Sequence, residues 1–265
     1  MGELALVLFW PALVGYGEAA VAYAGEVVRP GTLGRYAIWG VRLGWLAQTA
    51  LLIAQAAHAA GFPWSSWGGS LNLFVWMSVG VYLIWGCRPP YRLLGLAVMP
   101  PAAVLLALAW ASGGVESDHR SDFGSVFLAF HVGLVIAAFA AFALAAAMAA
   151  LYVWQDRRLK RHARGVLRTR LPGLSALDRL IARTIAVALP ALTLGIGVGL
   201  ARLGSEDASL DPIIVVTLVT WVVYAAFLFA RYELGWRGRR SAYLALAGFL
   251  LVVVIRIGLV PVDHF

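Results

Sequence analysis

Apolar runs of about 20 residues follow one another along almost the whole chain, and each is long enough to cross a bilayer. Eight can be read, at roughly 4–23, 37–60, 71–87, 93–112, 125–154, 184–203, 213–230 and 241–260. In lipid, each run must satisfy its own backbone hydrogen bonds, which only a helix does within one segment. The expected fold class is therefore all-α: a polytopic membrane helix bundle of about eight transmembrane helices, forming a single membrane domain over 1–265. Composition agrees, since 62% of residues are hydrophobic and 13% charged, where a soluble domain carries about 25% charged residues. The apolar run begins right after Met1-Gly2-Glu3 without a basic leader, so the first span is expected to be retained. Cys87 is the only cysteine, which excludes an intrachain disulfide and a cysteine-based metal cluster.

The connectors alternate in charge. Those at 24–36, 88–92, 155–183 and 231–240 hold 17 of the 21 basic residues. The opposite set, at 61–70, 113–124 and 204–212, holds only Arg120 against Glu116, Asp118, Asp122, Glu206, Asp207 and Asp211. Lys and Arg are retained in the cytoplasm, so the basic set is expected to face in and both termini out. The net charge of +8 thus marks topology and contact with membrane lipids, and no nucleic-acid partner is expected. The 155–183 connector reads either as a solvated elbow or as a docking site. Within it, Ser175-Ala-Leu-Asp178 resembles the capped start of a helix. Pro100-Pro101 and Pro190 are expected to kink their spans, and Gly195 and Gly199 have the spacing of a close helix contact.

No phosphate-binding loop, dinucleotide fingerprint, zinc-protease motif or serine elbow occurs. The histidines carry more information. His58, His119, His131 and His264 collect toward the outer leaflet, and only His162 falls on the inner side. Imidazole is a common ligand of haem iron and other borderline metals. His119 among Asp118, Arg120 and Asp122 reads as a solvated loop residue, His162 as a surface residue, and His58 as a headgroup anchor or a ligand. His131 lies inside a span, where an ionisable group is costly unless it has a partner. Glu18 and Arg42 sit at similar depth on successive spans and suggest an ion pair. Arg202 and Arg256, near the outer leaflet, either snorkel to headgroups or meet an anionic group. Trp64 and Trp67 read as interface anchors or as the rim of a flat ligand site.

Several stretches resemble the membrane cytochrome c assembly family, with its HemX-like and CcsA-like members. Phe130-His131-Val132-Gly133-Leu134, an Ala-rich span and Leu151-Tyr-Val-Trp-Gln-Asp-Arg-Arg-Leu-Lys160 resemble the family's histidine helix and its basic exit, and Arg170-Leu-Pro-Gly-Leu-Ser-Ala-Leu-Asp178 continues the match. Leu210-Asp211-Pro212 and Thr217-Leu-Val-Thr-Trp221-Val-Val-Tyr224 stand where the family carries W-D-P-K-E and S-L-L-T-W. Asn72-Leu73-Phe74 is similar to N-L-Y/F-E, and the last span with His264 to the family's final helix and terminal histidine. Leu210, Ile213, Ile214 and Val75 replace the family's Trp, Lys, Glu and Glu, and a tryptophan-rich haem-presenting motif is missing, which makes the HemX-like members the better match.

The resemblance implies a haem-binding membrane protein that handles or senses haem. Its axial ligands are then His131 and His264, with His58 as a third haem-linked histidine. Arg202 and Arg256 become propionate contacts, and the haem is b-type and non-covalent. The HemX-like reading implies regulation of haem biosynthesis through glutamyl-tRNA reductase at 155–183, without catalysis. The alternative is a component of a cytochrome c synthetase or haem-delivery machine with an assembly partner at the outer face. Either way the resemblance implies the cell membrane of a bacterium. Transport of another small molecule, a third reading, lacks the broken helices and paired polar repeats that such proteins use.

Overall fold

The computed structural model describes residues 2–28, 31–58, 66–86, 89–113, 125–161, 172–203 and 212–258. Among them are eight α-helices, one short 3₁₀ turn and no strand. The helices are α1 (Gly2–Val28), α2 (Leu33–His58), α3 (Trp67–Gly86), α4 (Gly95–Ala111), α5 (Ser125–Lys160), α6 (Leu174–Leu203), α7 (Pro212–Tyr232) and α8 (Arg239–Gly258). The 3₁₀ turn, Pro89–Leu94, leads into α4. Seven of the eight helices have the length and hydropathy to cross a membrane over their described residues; α8 is the eighth helix, ending beside the undescribed C-terminal residues. The protein is a polytopic membrane helix bundle, as the apolar runs require.

Contacts divide the chain into two compact units, 1–140 with 164–172, and 141–163 with 173–265. In the first unit α1 packs along α2, and α4 packs on α1 and α3. The α1–α2 seam is built from small residues. A Cβ on Gly15 would lie 2.7 Å from the Gly40 carbonyl oxygen and 3.1 Å from Gly44 Cα, so the two backbones come as close as glycine allows. This close approach lies between α1 and α2, with Gly40 and Gly44 at the spacing that Gly195 and Gly199 also have in α6. Around the seam Phe9, Ala12, Tyr16, Ala19 and Tyr23 are all buried, three or four residues apart along one face of α1. Gly95 faces the Tyr23 ring, and a side chain there would collide with it.

In the second unit α7 packs on α6 and α8. The α7–α8 turn needs two residues at positive φ, Gly235 and Gly238, each at 66°. α5 has 36 residues and α6 has 30, or about 54 Å and 45 Å at 1.5 Å per residue. Both exceed a hydrocarbon core of about 30 Å, so they extend beyond the apolar slab. α6 starts ten residues before the predicted span: Leu177, Leu180 and Ile181 are buried while Ser175, Arg179 and Arg183 face out, an amphipathic turn that hydropathy alone assigns to the connector. Pro100 and Pro101 in α4 and Pro190 in α6 lie inside unbroken helices, as does Pro11 in α1.

Candidate functional site

Uncharged polar side chains are threaded through the first unit. Gln48 and Gln55 of α2 lie seven residues apart, about two turns, and both are fully buried. Gln48 Oε1 accepts the Tyr16 hydroxyl at 2.7 Å. Gln48 Nε2 donates to Asn72 Oδ1 at 2.8 Å and to the Asn72 carbonyl at 3.1 Å, and Asn72 Nδ2 donates to Gln55 Oε1 at 3.4 Å. Three helices are thereby joined without a formal charge, which suits an apolar medium. The sequence places Asn72 in a family-like motif; the structure makes it the centre of this chain. Beside it, Trp45 and Trp76 stack with ring centroids 5.3 Å apart, and their indole N–H groups donate to the Trp76 carbonyl and to Thr49 Oγ1.

A second set lies where α1 ends. Tyr82 donates its hydroxyl proton to the Arg92 carbonyl at 2.9 Å, so in the 2.8 Å contact between the two phenols Tyr23 is the donor. The buried Glu26 accepts the Gly34 N–H at 2.9 Å and closes the α1–α2 connection. Glu18 is exposed, while the Arg42 guanidinium lies over the Trp39 ring at 5.1 Å.

The first unit also holds the two described histidines. His58 is the last residue of α2 and is exposed. Its Nδ1 lies 2.8 Å from the Ala54 carbonyl. A carbonyl only accepts, so Nδ1 carries a proton, and the neutral ring then has its lone pair on Nε2, the arrangement of an imidazole oriented to bind a metal. His131 is half-buried in α5, six residues beyond Ser125. Successive crossing puts the C-terminal end of α2 and the N-terminal end of α5 on the same side of the membrane, so both histidines belong to one face. His264 lies outside the described residues, as do His119, His162 and Trp64. Arg202 and Arg256 sit on the described backbones of α6 and α8, with their side chains outside the described set. Trp67 opens α3 and is exposed. Among the described residues, no three His, Cys, Asp or Glu side chains converge on a metal position.

The second unit is fastened by charge. Arg231 of α7 grips Asp178 of α6 with two hydrogen bonds, 2.8 Å and 2.7 Å, and Asp178 Oδ1 also accepts the Gly238 N–H at 2.8 Å. Both side chains are about nine-tenths buried. The helix start expected at 175–178 is present, with α6 beginning at Leu174 and the Ala176 and Leu177 N–H groups bonded to the Gly173 carbonyl, but the Asp178 carboxylate serves α7 and the α7–α8 turn rather than a cap. Deeper in, Phe142 stacks on Tyr224 with centroids 3.8 Å apart, and Trp221 Nε1 donates to Thr193 Oγ1 at 2.8 Å. The Thr217–Tyr224 stretch thus serves to pack α7 against α5 and α6.

The sequence profile of the cytochrome C assembly protein family matches residues 64–260, about three quarters of the 265. The chain belongs to the cytochrome c assembly family. Among similar curated proteins is the cytochrome c biogenesis protein CcsA of Microcystis aeruginosa, 29% identical over an alignment covering 96% of this chain and 91% of the relative. The CcsA protein of Picosynechococcus is 27% identical with the same coverage. That of Porphyra purpurea is 26% identical over 79% of each chain. No solved structure matches. These members carry the CcsA name, and the weight that the substitutions at Leu210, Ile213 and Ile214 gave to HemX-like members finds no counterpart among them.

Proposed function

We propose that this protein is a haem-handling component of a cytochrome c biogenesis machine in the cell membrane of a bacterium, with both termini and its haem site on the non-cytoplasmic face. The observation that carries the reading is the near end-to-end similarity to CcsA proteins, 96% of this chain against 91% of a relative, which a shared fragment does not explain. In this reading haem is cargo, bound non-covalently as the b-type group. His131 and His264 are its axial ligands, and Arg202 and Arg256 meet its propionates. The imidazole donor set suits haem iron. His58, with Nδ1 tied to Ala54 and Nε2 free of that bond, is the third haem-linked histidine, a holding position before transfer. The protein performs no covalent step of its own; a partner presents the apocytochrome.

Regulation of haem biosynthesis through glutamyl-tRNA reductase at 155–183 has no support in the fold or in the relatives, so the biogenesis reading replaces it. The test has two parts. Cells lacking the protein should lose covalent haem from their c-type cytochromes, measured by haem staining, with total haem unchanged; normal staining would overturn the assignment. Purified wild-type protein should carry a low-spin haem spectrum, and His131→Ala should reduce bound haem by about tenfold or more, with His119→Ala unchanged. A His131→Ala protein with full haem and an unaltered spectrum removes His131 as a ligand.

A further inference from the structure

Where α5 ends and α8 begins, two guanidiniums from different helices meet at one uncharged oxygen. Arg157 Nη2 donates to the Tyr243 hydroxyl at 3.2 Å, and Arg239 Nη2 donates to the same oxygen at 3.3 Å. A phenol can accept both bonds but neutralises neither charge. One carboxylate stands close by, Asp156, and it is shared: its Oδ2 is 3.1 Å from Lys160 Nζ and 3.9 Å from Arg239 Nε. Arg157 makes no ion pair with a carboxylate among the described residues. Asp178, the other carboxylate of this end of α6, is held by Arg231 and Gly238. The positive pair is therefore assembled and left under-neutralised.

Its depth is marked by aromatic residues. Trp154, with Arg158 stacked 4.5 Å over its ring, and Trp236 are each 36% exposed, and Tyr232 is 67% exposed. Exposed Trp and Tyr of this kind sit at headgroup level. From Tyr243 an exposed stripe continues along α8 through Ala247, Leu250 and Val254, spaced three or four residues apart on one face. Two arginine forks at headgroup depth match a phosphate, and the apolar stripe below them matches an acyl chain. We propose that Arg157, Arg239 and Tyr243 bind the phosphate of an anionic phospholipid, whose chain lies along α8. A free inorganic phosphate shares the headgroup chemistry and makes no use of the stripe.

The experiment takes the purified full-length protein in lipid nanodiscs containing equal phosphatidylglycerol and phosphatidylcholine, with co-purifying lipid counted by native mass spectrometry. Wild-type protein should retain phosphatidylglycerol preferentially, and the preference should shrink as salt is raised. Each of Arg157→Gln and Arg239→Gln should weaken retention about fivefold, and the double variant about thirtyfold, while Arg161→Gln, on an exposed residue beyond the pair, leaves it within about twofold. No preference in the wild-type protein overturns the site without reliance on any variant. Equal loss from Arg161→Gln would show diffuse charge rather than a site. Displacement of the lipid by inorganic phosphate at millimolar concentration would assign the arginines to a free anion.

Discussion

Midway along its helices the first unit is joined by phenols and amides, whereas the second is fastened at its helix ends by a guanidinium and a carboxylate. Tyr16, Gln48, Asn72 and Gln55 are buried without a formal charge among them. Asp178 and Arg231 are buried too, yet they lie where α6 exceeds the slab and where α7 turns into α8. An ion is expensive in hydrocarbon and much cheaper near water. The difference teaches that depth, rather than burial alone, selects the chemistry that fastens a membrane bundle. Both described histidines are in the first unit, while the described basic ends of α5 and α6 are in the second.

Four substitutions sharpen the contrast, read as stability in detergent against added dodecyl sulfate. Asp178→Ala leaves Arg231 buried without its carboxylate and should cost about 3 kcal/mol; a loss within error would mean that water already solvates the pair. Gly15→Ala forces a methyl group against the Gly40 carbonyl and the α2 backbone, an overpacking expected to cost about 2 kcal/mol. Gln48→Leu removes the acceptor of Tyr16 and the donor to Asn72. It should cost about 1 kcal/mol, because hydrogen bonds between membrane helices are individually modest. If Gln48→Leu proves costlier than Asp178→Ala, the ranking of the two units is reversed. Tyr224→Phe is the smallest change. Among the described residues the buried Tyr224 hydroxyl has no hydrogen-bond partner, and the stack on Phe142 survives its removal, so stability should stay within about 0.5 kcal/mol or rise slightly.

The candidate site was only partly legible in the sequence. An imidazole six residues inside an apolar run stands out against lipid, so His131 and its depth could be read directly. His58 could be named from its position, whereas the protonation that frees its Nε2 depends on the Ala54 carbonyl at 2.8 Å. Gln48 and Gln55 carried a signal, two amides at heptad spacing in a largely apolar span, that went unused because an amide has no fixed partner in one dimension. The helix start at 175–178 was legible, but the ion pair of Asp178 with a residue 53 positions away was not, because local spacing carries no signal of so distant a partner.

What the sequence by itself determined was the membrane fold: apolar helices that follow one another in chain order through a polytopic bundle. The reason is that one-dimensional hydropathy and charge are the quantities to which a bilayer responds. Tertiary structure alone decided which polar atoms meet. The small-residue seam of Gly15, Gly40 and Gly44, the Tyr16–Gln48–Asn72–Gln55 chain, the grip of Arg231 on Asp178 and the meeting of Arg157 with Arg239 at Tyr243 all join separate helices. A lipid solvent is indifferent to how helices pair, since it is as apolar as their leucines. Pairing is therefore set by close packing and directional hydrogen bonds between residues far apart in the chain.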